Sequence, residues 1–173
     1  MVSRIASLSL IGWLTVGPAA LAQGDSTRRI VEAEVASCLP DSEFRLRGVG
    51  LDSDASVARE ALGKALRVKT HSGEDDGGRY EVQTFYYRDL EFDDVRGFVD
   101  RLATHSRGIA TPSGFRPGLS LGTVRRLLRS KGVTFGQSAD TIEVGCVLRH
   151  SHITLVFDQT QHVRTLEIVA ERP

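Results

Sequence analysis

Gly114–Gly132 reads GFRPGLSLGTVRRLLRSKG, and Gly48–Lys64 reads GVGLDSDASVAREALGK. Both stretches run through Gly-Leu toward a small hydroxyl residue followed by Val, any residue and Arg: Ser56-Val57-Ala58-Arg59 and Thr123-Val124-Arg125-Arg126. Each reads as the start of a short helix. Asp54 or Ser56 caps the first, with Val57, Ala61, Leu62 and Leu66 at three-to-four spacing. Ser120 or Thr123 caps the second, with Val124, Leu127 and Leu128 as its stripe and Gly132 as its end.

The echo extends downstream. Tyr80-Glu81-Val82 matches Ile142-Glu143-Val144, and Val99-Asp100-Arg101-Leu102 matches Val163-Arg164-Thr165-Leu166, at a spacing of roughly 65 residues. Between the helix starts lie alternating runs that read as strands. In one, Ile142, Val144, Cys146 and Leu148 alternate with Glu143, Gly145, Val147 and Arg149; in the other, Tyr80, Val82, Thr84 and Tyr86 alternate with Glu81, Gln83, Phe85 and Tyr87. The even-numbered set is expected on the helix-facing side of both. Further strands are expected over 90–95, 98–103, 153–157 and 163–169; the segment at 98–102 also fits a helix, and its match to 163–168 favours a strand. The expected fold is α+β: two tandem helix-plus-antiparallel-sheet repeats, 45–107 and 108–173, forming one curved sheet with helices on one face. A unit of that size buries too little surface to stand alone, so the two form one combined domain.

Residues 1–22 read as a secretory signal peptide, with Arg4, an apolar run from Leu8 to Leu21, and Ala20-Leu21-Ala22 as the cleavage site. The run is short for a bilayer span of about 20 apolar residues. No lipid-bearing Cys follows, since the next residue is Gln23. The chain is therefore expected to be periplasmic or secreted, without a membrane span after cleavage. Its 22 basic and 22 acidic side chains balance, which leaves no electrostatic footprint for nucleic acid. Residues 23–44 form an N-terminal segment in which Thr27–Ser37 alternates and suits either a helix or a strand. Export makes a single long-range disulfide, Cys38 to Cys146, the default for the chain's two cysteines.

The stretch GFVDRLATHSRGIATPSGFRPGLSLGTVRRLL resembles the join between repeats in the β-lactamase-inhibitory-protein-like fold, also used by small bacterial outer-membrane assembly lipoproteins. The matching features are a strand ending in Val-x-x-Leu, a Thr111 to Gly114 turn, and Gly118, Ser120 and Val124 at the helix start. The resemblance implies a curved antiparallel sheet whose helix-free face binds other proteins.

Catalytic signatures are sparse. There is no Gly-x-Ser-x-Gly, no Ser-x-x-Lys, and no Lys-Ser/Thr after the glycines of Gly73–Arg79. The acidic run Glu74-Asp75-Asp76 lacks the alternation of a calcium loop and reads as a solvated tip. His150, His152 and His162 are the one set that would approach a Zn²⁺ if the hairpins stacked favourably; His71 and His105 read as loop residues. Strand parity places Phe85, Tyr87 and Glu81, with Glu143 and Arg149 as counterparts, on the helix-free face, where aromatics beside arginine make a binding surface unless another layer covers them. The expected function is a non-catalytic, exported protein-binding module of the cell envelope, an assembly factor or an inhibitor- or immunity-type protein. It needs no cofactor, and its partner is another protein. The alternative is a metal-dependent enzyme or zinc-binding protein using the three histidines.

Overall fold

The structure is a computed structural model and describes residues 38–75, 77–146 and 150–171. The expected signal sequence, Thr27–Ser37 and Arg149 lie outside the described residues. The described chain opens with a 3₁₀ turn at Asp41–Phe44, followed by a small hairpin of β1 (Arg45–Leu46) and β2 (Val49–Gly50). Helix α1 (Ala55–Leu62) leads into β3 (Arg67–Asp75), β4 (Gly78–Tyr86), β5 (Glu91–Val95) and β6 (Phe98–Thr104). Helix α2 (Leu121–Ser130) precedes β7 (Gly136–Gln137), β8 (Thr141–Cys146), β9 (Ser151–Phe157) and β10 (Val163–Ala170).

Strands β3 to β10 make one eight-stranded antiparallel sheet in the order β3-β4-β5-β6-β10-β9-β8-β7. Tight turns set much of the register. Only two residues link β5 to β6, Arg96 and Gly97, and both have positive φ, 54° and 88°. That is the backbone twist a two-residue hairpin needs. Cross-strand partners share a face, so the pairing can be followed across the sheet. Phe85, Phe92, Leu102, Ile168, Ile153 and Val144 form one continuous row. All six are buried, and all belong to the main core cluster together with Ala55 and Ala58 of α1 and Val124 and Leu128 of α2. Both helices therefore close the core from the same side of the sheet.

This architecture corrects the α+β reading. The molecule is mostly β, with one large antiparallel sheet and only two short helices, of eight and ten residues. It is not two tandem helix-plus-sheet repeats. The repeated words mark similar local chemistry at two helix starts, and even there the match is out of step. Asp54 caps α1 two residues before Ser56, accepting from the Ser56 amide at 2.7 Å. Ser120 caps α2 three residues before Thr123, accepting from the Thr123 amide at 3.3 Å. Caps and turns are specified by a few neighbouring residues, whereas the layering depends on how strands pair over long distances. Here β6 and β10 join directly along Leu102↔Ile168 and Thr104↔Leu166, making one sheet.

Two local expectations also change. Val57 and Leu66 do not line the core: Val57 is 59% exposed, and Leu66 lies beyond the helix and is 75% exposed. The small residues Ala55 and Ala58 face inward instead, allowing α1 to sit close to the sheet. Residues 67–75, assigned to no strand from sequence, form the nine-residue edge strand β3. His71 therefore lies on a strand. The segment at 98–104 is a strand, as its match to 163–168 suggested.

The Cys38–Cys146 disulfide is formed, tying positions 108 residues apart. It anchors the start of the described chain to the end of β8. A second tie is Glu43, a buried carboxylate that accepts hydrogen bonds from the Ser113 amide at 3.1 Å and from the Ser113 hydroxyl. It holds the Thr111–Gly114 turn against the 3₁₀ turn, a pairing that nothing in the local sequence announces.

Candidate functional site

The face of the sheet away from the helices is built from the alternate row: Arg67, Tyr86, Glu91, Ala103, Glu167, Thr154 and Glu143 are successive cross-strand neighbours. One register step along lies Lys69, Thr84, Asp93, Arg101, Val169 and His152. At one flank Tyr86 carries the Arg67 guanidinium 4.1 Å above its ring and the Lys69 ammonium at 5.9 Å. Tyr80, on the same side of β4, carries Arg96 at 4.9 Å. Such stacking keeps the cationic stems extended over aromatic surface and their charged ends near water.

The middle of this face is a charge cluster. Arg101 donates to Glu91 and to Glu167, each at 3.0 Å, and lies 3.8 Å from Asp93. Burial works against its charge, yet the hydrogen bond and charge of Glu167, with Asp93 and Glu91, outweigh that and raise its pKa above the usual arginine value. Three carboxylates around one guanidinium leave the centre acidic, and one Asp93 carboxylate oxygen is buried without a hydrogen-bond partner. The flank at β3 is basic, with Arg67 and Lys69 both exposed. An apolar row completes the face: Val82 opposite Val95, and Val95 opposite Phe98, which is 48% exposed. Beside Glu91 and Ala103 a cleft of about 300 Å³ opens, lined also by Arg88, Asp89 and His105. His105, read from sequence as a loop residue, has its ring Nδ1 3.0 Å from the Thr165 hydroxyl.

The residues expected to form a binding surface are distributed differently. Phe85 is 8% exposed and stacks on Phe92 at 5.0 Å between ring centroids, with Arg59 of α1 above it at 5.2 Å. Its placement on the helix-free face is therefore corrected: it belongs to the core. Tyr87 is only half-buried but also packs against the core, 6.1 Å from Phe92, and burial pushes its phenol pKa up, partly countered by Arg59. Glu81 is exposed but shares the parity of Phe85, and accepts from the Gln83 side-chain amide at 2.6 Å. Glu143 does stand on the helix-free face, opposite Thr154. Tyr80 and Tyr86, expected on the helix-facing side, stand on the helix-free face instead. On β4 both parities are rich in strand-forming aromatic and branched residues, so alternation alone does not choose between them. The usable signal is Phe92, whose flanks Glu91 and Asp93 fix the parity of β5 and, through pairing, of β4.

The three histidines do not converge. His150 and His152 stand at the start of β9, and His162 lies beyond the strand's far end. His152 pairs with Glu171 at 2.9 Å, while the His162 ring is 2.9 Å from the Thr160 carbonyl. Among the described residues no group of three or more His, Cys, Asp or Glu side chains is arranged to hold a metal ion.

No family model matches the chain, and no curated protein matches it. Solved structures do. An extracellular protein containing an SCP domain from Bacillus anthracis str. Ames superposes with a TM-score of 0.53 at 13% identity, over 70% of this chain and 44% of that one. A cysteine-rich secretory protein from Staphylococcus aureus subsp. aureus Mu50 gives 0.48 at 11% identity, over 78% and 49%. The uncharacterized protein yfeY from Escherichia coli gives 0.47 at 10% identity, over 76% and 99%. The first is a likeness of fold; the other two fall too low to carry an argument. The chain spans less than half the length of the first two proteins. None of the three is described as β-lactamase-inhibitory-protein-like.

Proposed function

We propose that this is an exported, non-catalytic protein-binding module that engages its partner through the helix-free face of the sheet. The observation that carries the reading is the composition of that face. Tyr86 and Tyr80, each under a cationic side chain, share this face with the partly exposed Phe98, and no described helix covers them. Rigid aromatics next to arginine give large contact area with little entropy to lose, which is what interface hot spots are made from. The basic flank at Arg67 and Lys69 and the acidic centre around Arg101 would orient a partner of the opposite polarity. Export is supported by the signal-like N-terminus and by the disulfide, which belongs to oxidising compartments. Within that reading an assembly factor and an inhibitor- or immunity-type protein use the same face.

The test is capture of exported proteins on immobilised wild type and on Tyr86→Ala with Phe98→Ala. The double variant should keep its fold by circular dichroism and lose a specific bound protein. An identical set of captured proteins on both would sink the assignment.

A further inference from the structure

We propose that β3 is a self-association seam, through which two copies of this chain pair edge to edge, antiparallel, into one continuous sheet. Among the described residues no strand pairs with the outer edge of β3. Pairing with β4 is unbroken over nine positions, Arg67↔Tyr86 to Asp75↔Gly78, without a bulge, and the strand contains no proline. Bulges and prolines are among the features that blunt an edge, and this strand has neither. Two of the four exposed large apolar residues among the described residues are at this place, Leu66 and Val68.

Hydrogen-bond phase says which backbone groups face outward. The Tyr87 amide donates to the Leu90 carbonyl at 2.8 Å, so odd residues of β4 turn toward β5 and even ones toward β3. Residues 67, 69, 71 and 73 of β3, opposite the even ones, therefore spend their backbone groups on β4. Val68, Thr70, Ser72 and Glu74 present theirs outward.

Charge chooses the occupant. Along its length β3 passes from basic to acidic: Lys64 just before it, then Arg67 and Lys69, then Glu74 at the start of the acidic run. All four of these side chains are exposed. A second copy running antiparallel lays the basic half of each strand on the acidic half of the other, an arrangement a parallel copy would forbid. The register that satisfies both charge and hydrogen-bond phase sets Val68 opposite Glu74, Thr70 opposite Ser72, Lys69 opposite Gly73 and His71 opposite itself on the two-fold axis. At Gly73 the Tyr80 ring fills the space a side chain would take, 2.5 Å from the position of the missing Cβ, so the partner's Lys69 meets the edge of an aromatic surface that also carries Arg96.

Light scattering and sedimentation of the purified exported protein should show a dimer that weakens with salt. Thr70→Pro removes an outward amide without touching a bond to β4, a substitution edge strands accept, and should give a folded monomer. Arg67→Glu should weaken the dimer, and Arg67→Glu with Asp75→Arg, two positions that this register sets opposite each other, should restore it. His71→Cys should form an intermolecular disulfide on mild oxidation, since directly opposed residues at a non-hydrogen-bonded site lie about 4.5 Å apart between Cα atoms. Arg67→Cys, far from the axis, should not. A protein that is monomeric at all concentrations overturns the proposal, including the case in which amide exchange shows residues 68, 70 and 72 protected by another part of the same chain. So does a dimer indifferent to Thr70→Pro.

Discussion

Strands β4 and β8 look alike on paper and are built oppositely. On β8 the apolar residues Ile142, Val144 and Cys146 are buried and alternate with the exposed Glu143 and Gly145. A one-residue shift would put a carboxylate into the core, so a single face is possible. On β4 the buried set is Val82, Thr84 and Phe85, which crosses parity. Phe85 joins the main core, whereas Val82 and Thr84 are buried on the other side, outside that cluster. Polar content on one parity fixes a strand's orientation, and where both parities carry apolar bulk the neighbours decide. For β4 those neighbours are Phe92, stacked on Phe85, and α1, whose Arg59 lies over the same ring and pairs with Asp94 at 2.8 Å.

Substitution on β4 tests this contrast most sharply. Phe85→Ala should cost about 3–5 kcal/mol in chemical denaturation, the range for removing a buried aromatic. A loss under about 1 kcal/mol would return Phe85 to the surface and reverse the parity. Removing the link that pins β8 comes next. Cys38→Ser with Cys146→Ser should cost about 2–5 kcal/mol, as for a native disulfide closing a long loop, and should loosen β8 before β4 in amide exchange. Equal loosening of the two strands would show that the disulfide does not single out β8.

On the same strand as Phe85, Tyr86→Ala should shift stability by less than about 1 kcal/mol, since its ring contacts are with solvated cationic side chains. A loss comparable to that of Phe85→Ala would mean the helix-free face is covered. The smallest effect concerns the two helix caps. Hydrogen bonds from the Ser56 hydroxyl and amide hold the Asp54 carboxyl below the ordinary aspartate value of 3.8. A lowered pKa contributes stability that is complete above that ordinary value and fades as pH falls through the lower, folded value. Exchange at the Ser56 amide should therefore rise relative to that at the Thr123 amide, whose Ser120 cap does not titrate, as the pH is taken below about 4. Unchanged relative exchange would remove Asp54 as the cap that matters.

By itself the sequence determined what is local. Alternation chose the buried face of β8, residues 90–95, 98–103, 153–157 and 163–169 read as strands, and the helix starts were narrowed to Asp54 or Ser56 and to Ser120 or Thr123, of which Asp54 and Ser120 are the caps. In each case the relevant forces act between residues within a few positions of one another. Two exported cysteines had only each other, so their pairing was legible as well. The tertiary structure decided the rest. It built the expected single sheet by pairing β6 with β10, but as a mostly β molecule with two short helices where a repeated word suggested two helix-plus-sheet repeats, because local echoes say nothing about how strands pair over long distances. It made a strand of residues 67–75, whose exposed edge position never required alternation. It also chose the face of β4, burying Phe85 and leaving Tyr80 and Tyr86 to the surface. Both orientations would bury aromatic area, and only packing against Phe92 and α1 makes one of them lower in free energy.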